Sequence, residues 1–386
     1  MFWDIIGWMV LVLISLALIL LGPGYVLWLA TRRKCSQGST SSSQDRPFVD
    51  IIVPLKDERL LIEEKLKNLK SLDYPADLIS FWLVDGASSD GTTAFLTDFV
   101  RENERFHLLE FAISNKTAQL NHALPYCKGS WILVTDADAI LPGSILQEMV
   151  SLGQQRNNLA VIGSLVEPHH ALVLEQWHWR FSNWLRRQES KFGFASFVTA
   201  PCYLFRRTLL MQFPEDTISD DIHVALLALS QGHEVVLVPQ AVTELRSPAT
   251  FRQLVFHKWR KSRAYFREIF RFLPQVFHMP LASREVFVWR AAQLILLPIL
   301  GLLAFGLFVQ SFTMIPFLYA GLTISLVAVV KKKSILSLGS WFLLAILWII
   351  VLLVALIGLP FSRQTACFRR IGMTDLVPES SHEAQR

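Results

Sequence analysis

The segment Ile132 to Leu141 reads ILVTDADAIL, so two carboxylates, Asp136 and Asp138, stand two positions apart where an apolar, strand-like run ends. Like charges that close repel unless a cation or a hydrogen-bond donor lies between them. A hard divalent ion meets that need, because Mg2+ or Mn2+ takes oxygen ligands and keeps waters and substrate phosphates in its shell. TDADA therefore reads as a place where Mg2+ or Mn2+ joins the chain to a diphosphate. An Asp-x-Asp pair alone is also what a solvated acidic turn looks like. Its context separates the two readings: KDE at 56–58 and DGASSDGT at 85–92 likewise follow apolar runs.

Those runs must be the elements that position the polar residues. FVDIIVPL has the β-branched, mostly apolar character of a central parallel strand, and RLLIEEKLKNLKSL shows helical spacing through Ile62, Leu66, Leu69 and Leu72. ISFWLVDGASSDGT predicts a second strand running into a turn and a helix start. HLLEFAI, WILVTDADAIL and LAVIGSLV predict further strands. Strands alternating with helices argue for a parallel α/β sheet that binds ligands at the carboxyl ends of its strands.

The chain as a whole is too apolar for an ordinary soluble enzyme: 52% of its 386 residues are hydrophobic, with mean hydropathy +0.38. Residues 5–31, 291–330 and 334–362 carry no charge. At about 20 residues per crossing, these runs predict one anchor, a hairpin of two spans and a fourth span. Arg32, Arg33 and Lys34 follow the first run, which puts residues 32 to about 290 on the cytosolic side by the positive-inside rule. An odd number of later spans would export the tail, yet Arg363, Arg369 and Arg370 follow the last one; a re-entrant segment would hold the tail inside. Cys35, Cys127, Cys202 and Cys367 form no CxxC pair, which suggests neither zinc nor a disulfide framework. The net charge of +5 falls largely beside the apolar runs and in one later helix, so membrane lipid, and no nucleic acid, is the expected partner.

Taken in order from about Val49 to Arg263, the motifs resemble the membrane-bound inverting branch of glycosyltransferase family 2, and are similar to ceramide glucosyltransferase-like and polysaccharide synthase-like members. The resemblance implies an α/β fold of the GT-A nucleotide-diphospho-sugar transferase type, a mostly parallel sheet with flanking helices, joined to transmembrane helices. DIIVPLKDE looks like the family's opening strand and makes Asp57 and Glu58 nucleotide-sugar-binding. VDGASSDGT is similar to the nucleoside-binding turn, with Asp85 for uracil or ribose and Asp90 as a turn-former. NKTAQLNHAL would bring Lys116 to the nucleotide and let Asn121 shape the loop. TDADA matches the metal motif, with Asp138 and Asp136 on Mg2+ or Mn2+ and Asp136 also near the nucleotide sugar. ISDDIHVALLALSQGHEVVLVPQAV resembles the segment that supplies the general base, with Asp220 at the family's usual Glu, Asp221 at its catalytic Asp and Glu244 closing the alignment.

The match thins toward the C-terminus. Where processive members carry Gln-x-x-Arg-Trp, this chain has FHKWRKSRA: His257 stands at the Gln position, Arg260 keeps the Arg and Lys261 replaces the Trp. These three residues retain charge for the diphosphate and acceptor end but argue against long-chain polymerisation. Residues 251–273 predict an amphipathic basic helix in the headgroup region, with Phe251, Val255, Trp259 and Phe266 on its apolar side. Trp177, Phe181 and Trp184 form an aromatic stripe whose ordinary reading is core packing; the resemblance offers Trp184 an acceptor-facing role. Ala200 and Pro201 replace the family's usual acceptor-loop pattern. His169, His170 and His178 have no carboxylate at ligand spacing and read as surface or packing residues; His223 lies two residues past the expected base.

The expected organisation is an anchor (1–31), a Ser-rich linker (32–47), a cytosolic catalytic domain (48–249), an interfacial helix region (250–285), about three further transmembrane helices (286–362) and a polar tail (363–386). The expected activity is transfer of a sugar from a UDP-sugar to a lipid or lipid-linked acceptor with inversion, in a multi-pass membrane protein. A processive polysaccharide synthase and a catalytically inactive nucleotide-sugar-binding scaffold are the alternatives.

Overall fold

A computed structural model describes residues 2–32, 46–169 and 171–311. Most of the Ser-rich linker, His170, the fourth apolar run and the basic tail lie outside the described residues. Two compact units divide the chain: one contains residues 46–254 and the other contains residues 2–32 and 255–311 among those described.

The larger unit is built on one eight-stranded sheet. Its first half follows the pattern expected from the sequence: β1 (Val49–Leu55), α3 (Ile62–Lys70), β2 (Ile79–Asp85), α4 (Thr92–Arg101), β3 (Phe106–Glu110), α5 (Lys116–Ala123) and β4 (Trp131–Thr135), where α1 (Phe2–Ile19) and α2 (Tyr25–Thr31) precede this unit in the chain. All of β1 is buried, as a strand covered on both faces must be. β2 and β4 flank it in parallel, and β3 extends β2. Leu55 is level with Asp85, and Asp85 with Glu110, so the KDE and DGASSDGT loops leave the sheet side by side.

The second half departs from a purely parallel pattern. β5 (Ala139–Ile140), α6 (Ile145–Gln155), β6 (Leu159–Pro168), α7 (Val173–Ser190), β7 (Cys202–Arg206), α8 (Asp220–Ser230) and β8 (Glu234–Glu244) complete the unit, with strand order β3-β2-β1-β4-β7-β6-β8-β5. β7, which follows directly after Ala200 and Pro201, runs antiparallel between β4 and β6 and sets Thr135 opposite Cys202. β5 pairs antiparallel with the end of β8, so the Asp136–Asp138 turn is anchored by a strand on each side. Gly163 permits the close approach of β6 to its neighbours, since a Cβ there would sit 2.6 Å from Leu237 and 2.8 Å from Val198.

α7 corrects the expectation of an aromatic core stripe. It buries Glu175, Trp179, Leu185, Arg186 and Glu189, while Trp177 and Trp184 are half-buried and Phe181 is exposed. Helical periodicity located an apolar row but not the face the sheet covers, because Trp179 lies only two positions from Trp177.

The other unit contains α1, α2, most of α9 (Phe251–Phe272) and α10 (Leu281–Ser311). Val12–Thr31 and Leu281–Ala304 are long and apolar enough to cross a membrane; these are two of the four expected spans. Between α1 and α2 the helix widens into a π turn, Leu20–Gly24, that accommodates Pro23. There Gln293 of α10 donates its side-chain amide to the Leu21 carbonyl at 2.8 Å. Tyr25, Trp28 and Trp289 pack ring to ring, and Arg32 lies 4.5 Å above Trp28 while pairing with Glu285 at 2.5 Å. α10 continues unbroken through Pro298 to Ser311, so the expected hairpin bend lies outside the described residues. α9 differs from a helix with a solvated basic face: Lys258, Ser262, Arg263 and Glu268 are buried, whereas Phe256, Phe270 and Leu273 just beyond it are exposed.

At the amino end of the sheet, Asp50 is the one carboxylate inside β1. It accepts from Ser80 Oγ (2.5 Å), Trp82 Nε1 (2.8 Å), Lys128 N (2.8 Å) and Gly129 N (2.6 Å), tying β1, β2 and the turn before β4 together. Asp50→Ala strands those donors in a dry site, and the expected loss is about 3 kcal/mol. Thermal unfolding of the full chain checks this: Asp50→Ala should lower the melting temperature well below that of Asp50→Asn, which keeps an acceptor oxygen.

Candidate active site

The carboxyl ends of β1, β2 and β4 converge with the start of α8. Two loops at this rim are laced together. Asp57, in a left-handed conformation (φ 47°), donates its N–H to Ser88 Oγ at 2.7 Å and accepts from the Ser89 N–H at 2.6 Å. Lys56 donates to the carbonyl of Ala87, which is left-handed too (φ 59°). Asp85 is buried and accepts from Ser88 N (3.0 Å), Ser88 Oγ and Thr93 Oγ1 (2.9 Å). Asp90 accepts from Thr92 N and Arg59 N, each at 3.0 Å, and so opens α4 as a turn-former. Asp85 thus organises the turn with both oxygens engaged, and Asp57 is the more accessible of the two carboxylates.

Lys116 begins α5, whose cap is Asn115 accepting from Ala118 N. Its ammonium lies 2.7 Å from Asp136 and 3.2 Å from Asp220. Burial alone would lower the Lys116 pKa, but Asp136 and Asp220 together outweigh it and hold the amine firmly protonated. Asp220 is buried and also accepts from Tyr203 Oη at 2.6 Å. Burial, reinforced by Asp221 and Asp136, pushes the Asp220 carboxyl up against the opposing pull of Lys116 and Tyr203. Asp221 accepts from Ser219 Oγ at 2.7 Å. Asn121 makes a paired contact with the Phe213 backbone, 2.9 Å to its carbonyl and 2.8 Å from its N–H, and thereby shapes the loop before α8. His223 is buried against the Phe213 ring, 5.9 Å between centroids.

Asp138 closes the rim. Burial first, then the charges of Asp136 and Glu58, push its carboxyl up to about 6, while Arg246 opposes the shift. Glu58 is itself bound by Arg246 through two contacts of 2.9 and 2.7 Å. Lys65 lies beneath the turn, fully buried, with its amine lowered to about 8 by burial against the raising effect of Cys202, Asp136 and Asp138.

The structure therefore brings Lys116, Asp136, Asp138, Asp220, Asp221 and Glu58 to one rim. Asp57 and Asp85 form the adjoining loop pair. Trp184 stacks on Phe181 at 5.9 Å along α7. His257, Arg260 and Lys261 fall on α9 in the other unit. Burial, with Lys261, Lys258 and Arg260 around it, drives the His257 pKa well below its ordinary value, so the ring is neutral at physiological pH.

Tyr203, Arg246, Ser219 and Lys65 belong to the site without having been singled out by sequence. Lys65 left a signal: it falls on the apolar face of α3, between Ile62 and Leu66.

Among the described residues, no three His, Cys, Asp or Glu side chains form a cluster able to enclose a metal. The donor set is two carboxylates, Asp136 and Asp138, two positions apart on one turn, and the charge of Asp136 is among the causes that push the Asp138 carboxyl up. That fits a hard cation completing its shell with diphosphate oxygens and water, and does not fit a closed protein cage.

Replacing Lys116 removes the charge shared by Asp136 and Asp220. Lys116→Met should lower stability at pH 7.5 by about 3 kcal/mol, the scale for breaking a buried ion pair. Asp220 then rises further above its unfolded value, so the folded state takes up a proton as pH falls and the deficit shrinks in acid. Melting temperatures of wild type and variant at pH 7.5 and 5.5 check the sign: the gap should narrow at pH 5.5.

Residues 50–213 match the family described as Glycosyl transferase family 2. An N-acetylglucosaminyltransferase of Rhizobium meliloti (strain 1021) is 25% identical over 248 residues, 59% of this chain and 58% of that protein. A beta-monoglucosyldiacylglycerol synthase of Trichormus variabilis (strain ATCC 29413 / PCC 7937) is 35% identical over 118 residues, 30% of this chain and 25% of that protein. This chain thus spans 58% and 25% of the length of these two relatives. Among solved structures, mannosyltransferase PcManGT from Pyrobaculum calidifontis, in complex with GDP-Man and Mn2+, is similar with TM-score 0.70 at 20% identity, over 92% of this chain and 100% of that one. That likeness is one of fold: a mixed α/β layer with flanking helices, accompanied by apolar helices. Residues 50–213 thus match glycosyl transferase family 2, and the fold is a GT-A-like mixed α/β one.

Proposed function

We propose that the protein is a membrane-bound inverting glycosyltransferase that moves a sugar from a UDP-sugar to the hydroxyl of a lipid or lipid-linked acceptor on the cytosolic face. The observation that carries this reading is the convergence of Asp136, Asp138, Lys116, Asp220 and Asp221 at the carboxyl ends of the strands. The two apolar helices, the exposed aromatic residues of α9 and Arg32 at the end of the first helix favour a membrane-bound cytosolic domain. The name of the Trichormus variabilis relative, the synthase of a β-linked glucosyl lipid, favours a lipid acceptor and an inverted product.

In this reading Asp136 and Asp138 would hold Mg2+ or Mn2+, which when bound offsets the negative charge of the departing nucleoside diphosphate. Lys116 fixes Asp136 and Asp220 at a set spacing, and Tyr203 fixes Asp220. Asp221, oriented by Ser219, takes the proton from the acceptor hydroxyl. The acceptor oxygen bonds to the anomeric carbon as the bond to the diphosphate oxygen breaks, and a single displacement inverts that centre. Asp57, Glu58 and Asp85 frame the nucleoside side of the rim. The resemblance would give the charge for the diphosphate and acceptor end to Arg260 and Lys261, and to Trp184 an acceptor-facing role.

The test uses the full chain in lipid nanodiscs with MnCl2 or MgCl2, labelled UDP-sugars and GDP-sugars, and a total lipid extract, followed by solvent partition. Label should enter the organic phase from a UDP-sugar. Asp221→Asn should reduce transfer by about 10² to 10⁴-fold, the range for a positioned general base, and keep nucleotide affinity. Label in a large water-soluble polymer would show a polysaccharide synthase instead. Nucleotide binding without any transfer would indicate a scaffold, and full activity in Asp221→Asn would refute the base assignment.

A further inference from the structure

Lys65 is fully buried in α3, surrounded by an apolar face of Ile62, Leu66 and Leu69. A buried ammonium costs several kcal/mol unless its surroundings return that energy, so its partners matter. Its Nζ donates to Thr135 Oγ1 at 2.8 Å and to the Ala139 carbonyl at 2.6 Å. Thr135 is the last residue of β4 and Ala139 the first of β5, so one side chain bridges the two ends of the Asp136–Ala137–Asp138 turn. The Thr135 hydroxyl donates onward to the Pro201 carbonyl at 2.8 Å, which ties the same point to the start of β7. One helical turn along α3, Asn68 donates to the Leu141 carbonyl at 2.7 Å and accepts from the Leu141 N–H at 2.9 Å. The helix thus grips the motif at its entry, its exit and two residues beyond.

We infer that Lys65 is a positioning residue for cation binding: by pinning Thr135 and Ala139 it fixes the spacing and direction of the Asp136 and Asp138 carboxylates. The inference rests on the reading of those two carboxylates as cation ligands. A purely structural lysine would hold the fold and leave cation affinity alone. A positioning lysine sets cation affinity as well: methionine fills a similar volume, while the turn loses its clamp.

The experiment is isothermal titration of the full chain in nanodiscs with UDP and with GDP, each with and without MnCl2, alongside thermal unfolding. In wild type Mn2+ should tighten nucleoside diphosphate binding. In Lys65→Met the chain should remain folded, a cooperative unfolding transition being the check, with metal-free nucleotide affinity unchanged, while the Mn2+ requirement rises by about 10 to 100-fold, the scale for losing a group that orients a metal ligand. A folded Lys65→Met with wild-type Mn2+ dependence would overturn the inference and leave the proposed function standing. Wild-type nucleotide binding indifferent to Mn2+ would overturn the cation reading and this inference with it. Should Lys65→Met fail to fold, Thr135→Val removes one of the lysine's two acceptors: a several-fold higher Mn2+ requirement would support the inference, and an unchanged one would overturn it.

Discussion

Carboxylates drawn together away from water repel one another, and the rim of this sheet gathers Asp136, Asp138, Asp220 and Asp221. The arrangement depends on Lys116, whose ammonium lies between Asp136 and Asp220 within 2.7 and 3.2 Å. It offsets one charge from the strand end and one from the helix start, and so lets β4 and α8 meet. The remaining imbalance collects on Asp138, pushed up to about 6. Asp138 is the place where an added cation would relieve the most repulsion.

The sheet topology explains how residues so distant in sequence reach one rim. β1, β2 and β4 run parallel and deliver their polar ends to the same side. β7 then runs back between β4 and β6, bringing Tyr203 beneath Asp220 and Pro201 against Thr135. β5 closes the metal-type turn against β8, where Leu245 N–H donates to the Asp138 carbonyl at 2.8 Å. The turn is therefore defined by backbone pairing and by α3, not by the acidic residues it carries.

Much of this was legible in the sequence. Apolar runs ending in polar loops gave the parallel half of the sheet, because a strand buried on both faces has nowhere to place polar residues except its ends. The Asp-x-Asp turn stood out for the same reason, whereas Lys116 and the Asp220–Asp221 pair came from the resemblance to glycosyltransferase family 2. What stayed hidden depended on partners distant in sequence. Tyr203 looked like one more aromatic residue in a short apolar segment, and Arg246 like a loop cation, until the fold placed Asp220 and Glu58 beside them. α9 was legible as an amphipathic basic helix, but not which of its residues are covered: Lys258, Arg263 and Glu268 are buried, whereas Phe256 and Phe270 are exposed. In the other unit, the Leu21 carbonyl in the π turn around Pro23 accepts from Gln293, a partner 272 positions away that no local pattern could reveal.

The central claim is that Asp136 and Asp138 join this chain to a nucleoside diphosphate through a divalent cation. Electron paramagnetic resonance of Mn2+ on the full chain, with UDP or GDP added, tests it most directly. The account predicts a bound Mn2+ signal with phosphorus hyperfine coupling from the diphosphate, lost in Asp138→Ala while metal-free nucleotide binding persists. Nucleotide bound at full affinity with no phosphorus coupling to Mn2+, or coupling unchanged in Asp138→Ala, would contradict it.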